Sequence, residues 1–209
     1  MTRWGMVIDL ARCIGCNACT VACKIEHGTP DDVYYTRVYT EEVGTYPDVK
    51  TTYVPALCRH CTDAPCVTVC PTGASHQRDD GVVLIDHDKC IGCRYCMMAC
   101  PFNERFYLRK GSLNGGYHGE RTDFENAKWD LFTEGTVLKC TFCAHRVDEG
   151  LEPACVVTCP TDARVFGDFD DEESTVSRLI RDRGEIVPDR ESVCYLEGRP
   201  NGGRPAASP

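Results

Sequence analysis

Cysteine is concentrated in four dense groups, and this feature constrains the fold most. The chain of 209 residues has 17 cysteines, and 16 of them lie in these groups. Groups one and three share the spacing C-x2-C-x2-C-x3-C, group two is C-x2-C-x4-C-x3-C-P, and group four is C-x2-C-x11-C-x3-C-P. The groups are Cys13, Cys16, Cys19 and Cys23; Cys58, Cys61, Cys66 and Cys70; Cys90, Cys93, Cys96 and Cys100; and Cys140, Cys143, Cys155 and Cys159. Only Cys194 stands apart, and we expect it to be a small buried strand residue.

The dense grouping favours metal ligation over disulfide bonds. Disulfide-rich chains are usually short and secreted, and a bridge requires particular distances and directions between two Cα atoms. Zinc remains an alternative, because four cysteines satisfy its tetrahedral geometry, and group four taken alone has a zinc-like spacing. Groups one and three, however, pack four thiols into eleven residues. The sequence therefore predicts iron–sulfur sites.

The spacing also predicts how the groups combine. A C-x2-C-x2-C loop reaches three corners of a [4Fe-4S] cube, and in bacterial two-cluster ferredoxins the fourth cysteine ligates the other cluster. Groups two and three are 19 residues apart, as in a continuous two-cluster ferredoxin, which leaves groups one and four to pair around them. The competing arrangement pairs neighbours, group one with two and group three with four.

The nested arrangement predicts four [4Fe-4S] clusters and an α+β fold, in which one bacterial-type two-cluster ferredoxin module lies inside another, with loop insertions. The inner module is 58–100, the outer module is 1–57 with 101–185, and 186–209 is a C-terminal tail. The predicted ligand sets are Cys13, Cys16, Cys19 and Cys159 (site 1); Cys140, Cys143, Cys155 and Cys23 (site 2); Cys58, Cys61, Cys66 and Cys100 (site 3); and Cys90, Cys93, Cys96 and Cys70 (site 4).

Other segments predict the elements around these sites. MVIDL (6–10) and VVLIDHDK (82–89) alternate like strands that lead into groups one and three. The insertion 103–139 is rich in glycine and polar residues and predicts a surface loop or docking arm. DDEESTVSRLIRDRG (170–184) predicts a surface helix with one apolar face, and the last residues, RPNGGRPAASP, predict a frayed end.

Charge and hydropathy argue against nucleic-acid binding and against a membrane-spanning segment. The net charge of −9 leaves no basic stripe for nucleic acid. No apolar run reaches the roughly 18–20 residues of a membrane span, and from the residues before the first cysteine we expect no cleavable signal. We therefore expect any membrane association, or export to the periplasm, to depend on partner subunits; a cytoplasmic location is the alternative.

Four stretches of the chain resemble the four-cluster iron–sulfur (β) subunits of the dimethyl sulfoxide reductase molybdoenzyme superfamily. They are GMVIDLARCIGCNACTVACK, HCTDAPCVTVCPTGA, CIGCRYCMMACP and CTFCAHRVDEGLEPACVVTCPTDAR. Over about residues 5–170 the resemblance favours the nested pairing. GTYPDVK (44–50) looks most like β subunits of respiratory arsenate reductase and of thiosulfate, polysulfide or catechol-dehydroxylating enzymes.

The resemblance implies a non-catalytic electron-transfer subunit of an anaerobic respiratory complex. Its partner would be a large catalytic subunit with a molybdenum or tungsten bis-pyranopterin. Site 1 would lie nearest that subunit, followed by sites 2, 3 and 4, and site 4 would face a membrane anchor or a cytochrome. The alternatives are a stand-alone polyferredoxin that serves several enzymes, and a zinc-stabilised interaction module.

Several residues beside the ligands are candidates for secondary roles. Lys24, Arg59 and Arg94 abut cluster cysteines, and a nearby positive charge raises a cluster's reduction potential. His60 and His145 lie close to the cysteines, but packing or hydrogen bonding explains them without a ligand role, because the cysteines already form complete sets. Gly15 and Gly92 are expected to give the chain room to approach a cluster.

Overall fold

A computed structural model describes residues 2–183 and 190–197, in which short helices and strands alternate. The strands are β1 Trp4–Asp9, β2 Thr36–Thr45, β3 Asp48–Leu57, β4 Ser75–Gln77, β5 Val83–Ile85, β6 Phe106–Tyr107, β7 Val137–Leu138, β8 Arg164–Asp168 and β9 Val193–Leu196. The helices are α1 Ala18–His27, α2 Pro65–Thr68, α3 Tyr95–Met98, α4 Asp123–Trp129, α5 Ala144–Val147, α6 Ala154–Val157 and α7 Thr175–Asp182. The mixture of helices and strands agrees with the predicted α+β class.

A helix carries the third cysteine of every group. Cys19 lies in α1, Cys66 in α2, Cys96 in α3 and Cys155 in α6. Three of these helices are only four residues long. Helix α1 is longer, includes Cys23 and ends at His27, where Gly28 caps it with a φ of 62° that suits glycine. One local design therefore recurs four times along the chain.

The central sheet has the order β8-β1-β9. Strand β1 contains most of the predicted strand 6–10, and its residues Met6, Val7 and Ile8 are fully buried. It pairs antiparallel with β8 and parallel with β9. Because β9 lies within 186–209, part of the predicted tail joins the sheet, where Cys194 is a buried strand residue as expected. The predicted frayed end lies largely outside the described residues.

Three two-stranded ribbons complete the sheet structure. The longest is the β2–β3 hairpin, whose turn lies within GTYPDVK and leaves Tyr46 89% exposed. Strands β4 and β5 pair antiparallel, and β5 lies within the predicted strand 82–89. Strands β6 and β7 pair in the same sense. The ribbons hold the loops that carry the cysteines.

The insertion 103–139 corrects one expectation, because it is not only a surface loop. It contains β6, α4 and β7, and it contributes Leu108, Leu113, Trp129 and Leu138 to the largest apolar core. Helix α4 begins at a capping box in which Thr122 and Glu125 satisfy each other's backbone amides. The expectation rested on the glycine-rich and polar composition of the whole segment, in which these few large apolar residues carry little weight.

The predicted surface helix within 170–184 is α7. Val176 and Ile180 are buried, and Leu179 packs against the same apolar cluster beside the central sheet. Among the described residues, no helix has the length and apolar character needed to cross a membrane.

Candidate iron–sulfur sites

Site 1 is a cavity at the junction of the central sheet and the β2–β3 hairpin. Its lining includes cysteines from groups one and four, Cys13, Cys16, Cys19 and Cys159. Val38 and Pro55 of the hairpin close one side, and the empty space is about 320 Å³. The Ala163 amide donates a hydrogen bond to Cys159 Sγ over 3.3 Å. Two distant groups therefore meet around one cavity.

Site 4 repeats this construction in the other half of the chain. Its cavity, also about 320 Å³, is lined by Cys70, Cys90, Cys93 and Cys96. The Ser75 amide donates to Cys70 Sγ over 3.3 Å, as Ala163 does to Cys159. Amides at the end of the matching stretches, Ala163 of PTDA (160–163) and Ser75 directly after PTGA (71–74), thus point at the last cysteine of each group.

Site 3 is a third cavity of nearly the same size, about 310 Å³. The cysteines that line it are Cys58, Cys61, Cys66 and Cys100. The equal number of cysteines around sites 1, 3 and 4 indicates that one kind of group fits all three.

Site 2 is a buried cluster of thiols between α1 and α6, two helices that pack together. Burial raises the pKa of Cys23 well above its ordinary value, and the thiols of Cys140, Cys155 and Cys143 raise it further. His27 Nε2 lies 3.3 Å from Cys143 Sγ. Cys23 therefore lies among the thiols of group four, one helical turn along α1 from Cys19 of site 1.

Two buried arginines donate hydrogen bonds to cysteine sulfurs. Arg105 Nη2 donates to Cys66 Sγ over 2.8 Å, and Arg164 Nη1 donates to Cys155 Sγ over 3.6 Å. Both residues are about 2–3% exposed. Hydrogen bonds and positive charge at sulfur favour the thiolate form and stabilise added negative charge.

The surroundings of the cysteines divide into two kinds. Burial raises the pKa of Cys61 and Cys143 to about 12. For Cys70 and Cys159, burial acts in the same direction, but amide and threonine hydrogen bonds outweigh it and lower the pKa. Buried thiols are costly to ionise on their own, so they fit sites in which metal replaces the proton.

The donor set fits [4Fe-4S] clusters. Three cavities have four cysteines each, the remaining four thiols face one another, and amide or guanidinium donors point at sulfurs in each half of the molecule. Thiolate ligands with such outer hydrogen bonds are the usual protein environment of these clusters.

Neighbouring sites form a row in the order 1, 2, 3, 4. Burial raises the pKa of one cysteine at each junction, and a thiol of the adjacent site raises it further. The pairs are Cys155 with Cys19 (sites 2 and 1), Cys140 with Cys58 (sites 2 and 3), and Cys96 with Cys66 (sites 4 and 3). This order agrees with the one that the resemblance implies.

The cations singled out from the sequence lie near cluster cysteines, and Arg59 lines the cavity of site 3 and Arg94 that of site 4. Their hydrogen bonds, ion pairs and ring contacts among the described residues are with groups other than sulfur. Lys24 Nζ donates to three backbone carbonyls at the end of α1, with Pro30 O at 2.6 Å. Arg59 pairs with Glu191, and Arg94 lies over the Tyr107 ring. Sequence reasoning missed the arginines that do contact sulfur, although Arg105 and Arg164 each follow the last cysteine of a group by five residues.

The histidines singled out from the sequence have structural contacts. His60 is fully buried, stacks on Phe142 with 3.8 Å between ring centres, and accepts a hydrogen bond from the Val83 amide. His145 Nε2 lies 2.8 Å from Glu26. Gly92 has φ near 67°, and a Cβ there would lie 2.0 Å from a backbone oxygen of Gly135, so the close approach requires glycine.

Taken together, fold and sites define an iron–sulfur protein of the ferredoxin type. Two family models, each described as a 4Fe-4S dicluster domain, match this chain, one over residues 49–113 and 124–169 and the other over residues 12–74. The first alone covers more than half of the chain.

Similar proteins show to which family of iron–sulfur proteins the chain belongs. The chain is 44% identical to the iron–sulfur protein of a candidate dimethyl sulfoxide reductase from Halobacterium salinarum, over 98% of this chain and 83% of the relative. It is 44% identical to the arsenate respiratory reductase iron–sulfur subunit of a Shewanella species (86% and 87%) and 36% identical to the B polypeptide of polysulfide reductase from Wolinella succinogenes (89% and 87%). This protein therefore belongs to the family of iron–sulfur B subunits with 4Fe-4S dicluster domains.

Proposed function

We propose that the protein is an electron-transfer subunit that holds four [4Fe-4S] clusters at sites 1–4 and performs no substrate chemistry itself. The observation that carries the proposal is the grouping of cysteines from distant parts of the sequence around shared cavities. A bound [4Fe-4S] cluster supplies one-electron redox chemistry. The chain's own residues hold it, shield it from water and donate hydrogen bonds to its sulfur ligands.

The same grouping supports the nested arrangement of modules. Cys70 lines the cavity of group three and Cys100 that of group two, whereas Cys159 lines the cavity of group one. Pairing of neighbouring groups would instead bring Cys70 to group one. We therefore propose an inner module over 58–100 and an outer module over 1–57 and 101–185, with β9 of the segment 186–209 added to its sheet.

The row of sites supports a relay between two external partners. Cys16 of site 1 and Cys93 of site 4 are exposed, while Cys140, Cys143 and Cys155 of site 2 are buried. Because electron transfer to another protein requires a close approach, the two exposed ends are where electrons would enter and leave. Exposed apolar residues lie at both ends, Ile14 beside site 1 and Ile91 beside site 4.

The names of the relatives support the identity of one partner. They are B subunits or iron–sulfur subunits of arsenate, polysulfide, selenate and tetrathionate reductases. We propose that this chain joins a large catalytic subunit with a molybdenum or tungsten bis-pyranopterin at the site 1 end. A quinol-oxidising membrane anchor or a cytochrome would exchange electrons at the site 4 end, and these partners would set the cellular location.

Two measurements on the purified protein test the proposal. Iron and acid-labile sulfide near sixteen of each per chain are expected for four clusters. About eight or fewer, without loss during purification, would contradict it, and a colourless zinc-loaded protein would favour the interaction module. Co-purification of a stable large molybdenum or tungsten subunit supports the subunit function. A fully loaded chain that exchanges electrons with several enzymes and retains no partner would support the polyferredoxin alternative.

A further inference from the structure

Three buried cations lie among the cysteine sites. Arg105, Lys139 and Arg164 are each only 2–3% exposed. A buried charge is costly unless an opposite charge or hydrogen bonds compensate it. Within residues 2–183 and 190–197, none of the three forms an ion pair with a carboxylate. Their compensating partners are cysteines and neutral oxygens.

Arg164 lies between sites 1 and 2. It lines the cavity of site 1, and its Nη1 donates to Cys155 Sγ of site 2. Its Nη2 donates to Thr36 Oγ1 over 2.7 Å, which fixes the direction of the guanidinium. The charge of this side chain therefore acts on two sites at once.

Arg105 lies between sites 3 and 4 in the same manner. It lines the cavity of site 3 and donates Nη2 to Cys66 Sγ, and its positive charge also lowers the pKa of Cys96 of site 4, which burial raises. Its Nη1 donates to Ser75 Oγ over 2.7 Å. The hydroxyl of Ser75 thus has the role that Thr36 has for Arg164.

Lys139 occupies the remaining junction, between sites 2 and 3. Its Nζ donates to the carbonyl oxygens of Val83 and Cys140. Burial raises the pKa of Cys140 and of Cys66, and the Lys139 ammonium lowers both. Each of the three junctions in the row therefore contains one buried cation.

We propose that Arg164, Lys139 and Arg105 are positioning residues that raise the reduction potentials of the two sites flanking each of them. The proposal rests on the proposed function and assigns these residues a role in it. Each loaded site carries net negative charge, so an electron on one site opposes an electron on its neighbour. A cation between them attracts both, and the attraction is strong where water is excluded. Its loss makes reduction of both flanking sites less favourable.

The step that the cations assist is the movement of one electron from a site to its neighbour. One site is oxidised and the other is reduced by the same electron. No bond forms or breaks, and no proton moves, because the guanidinium groups remain protonated and donate the same hydrogen bonds before and after.

Redox titration of the iron-loaded protein, followed by electron paramagnetic resonance, tests the assignment. The variants Arg164→Gln and Arg105→Gln remove one charge each. At a fixed solution potential, we expect the ratio of oxidised to reduced sites to rise about tenfold, which is equivalent to a reduction potential lower by about 59 mV for one electron. The change should affect sites 1 and 2 in the first variant and sites 3 and 4 in the second. Arg164→Lys keeps the positive charge and should retain most of the wild-type potential.

Arg78→Gln is the matched control. It removes the same charge from a side chain paired with Asp80 and Asp148 away from the sulfurs, and should leave all four potentials unchanged. If the glutamine variants do not load iron, Thr36→Val and Ser75→Ala remove only the hydroxyl anchors. They should lower the potentials of the same pairs of sites by a smaller amount.

Three results would overturn the proposal. These are unchanged potentials in loaded glutamine variants, unchanged potentials in the anchor variants, or equal shifts in Arg78→Gln. A wild-type chain with far fewer than about sixteen irons would instead contradict the proposed function. The two failures are therefore distinguishable.

Discussion

Sites at the ends of the row differ from the site in its middle by their access to solvent. Cys16 of site 1 and Cys93 of site 4 are exposed, whereas every cysteine of site 2 is buried. The fourth cysteines at the ends, Cys159 and Cys70, accept hydrogen bonds from nearby amides. In the proposed function, the accessible ends exchange electrons with partners and the shielded middle transfers them within the chain.

The largest expected difference is between a variant that removes one cysteine ligand of site 2, in the middle of the row, and a variant that removes one of site 4, at its end. Cys143→Ser should lose about four irons and interrupt transfer between the two ends, because it also places an unpaired hydroxyl in a buried site. Cys93→Ser changes an exposed thiol and should leave sites 1–3 loaded and the thermal midpoint nearly unchanged. Iron analysis, calorimetry and spectroscopy of both variants measure this. If the two variants lost equal amounts of thermal stability and of electron transfer, the site in the middle would not differ from the sites at the ends.

The burial of site 2 should also depend on the insertion 103–139. Trp129 is 2% exposed, and its Nε1 donates to Gly28 O at the end of α1, the helix that contains Cys23. Trp129→Ala should cost about 3–5 kcal/mol, because it leaves a large cavity. Phe124→Ala, in the same helix but 43% exposed, is the control and should cost about 0.5 kcal/mol or less. Denaturation of the loaded protein gives both values, and similar values would mean that α4 is only a surface arm.

An effect without a stability change is expected at the exposed end beside site 4. Met98 is 82% exposed, so Met98→Ala should leave the thermal midpoint unchanged. If a partner covers this side chain, its loss should weaken that partner's affinity by about tenfold, or about 1.4 kcal/mol. The rate of reduction by dithionite shows whether the sites themselves are intact, and the rate of reduction by the protein partner shows whether the contact with that partner is weakened. An unchanged rate with the partner would exclude Met98 from the contact.

The smallest expected effect concerns the threonines beside the end sites. The hydroxyls of Thr161 and Thr72 lie 3.8 Å from Cys159 Sγ and Cys70 Sγ. Thr161→Val keeps the shape and removes this weak donor, so the potential of site 1 should fall slightly while sites 2–4 stay constant. Thr72→Val should do the same at site 4. A shift at site 2 in either variant would contradict the local character of these contacts.

Local sequence patterns predicted the repeated parts of the molecule well. The strand before group one and the helix within 170–184 follow from alternation and from an amphipathic face, and both are present as β1 and α7. Cysteine spacing also predicts which thiols form each ligand set, and that pairing stays a prediction. These features depend on residues close in sequence, or on a motif whose chemistry fixes its partners.

Long-range contacts explain what the sequence did not predict. Arg105 and Arg164 look like ordinary surface residues until the fold places them between two sites. Trp129 stands in a polar segment, and its partner Gly28 is 101 residues away. Lys24 directly follows Cys23 in the sequence, and its ammonium donates to carbonyls of the following loop. Side-chain direction, rather than proximity in sequence, decided these cases.

Exchange of fourth cysteines between groups one and four is the central claim, and Cys23→Ser tests it most directly. Electron paramagnetic resonance of this variant should be compared with Cys143→Ser, which changes site 2, and with Cys61→Ser, which changes site 3. The nested pairing predicts that Cys23→Ser alters the same signal as Cys143→Ser and leaves the signals of sites 1 and 3 intact. If Cys23→Ser instead alters the signal that Cys61→Ser alters, neighbouring groups pair and the nested arrangement is wrong.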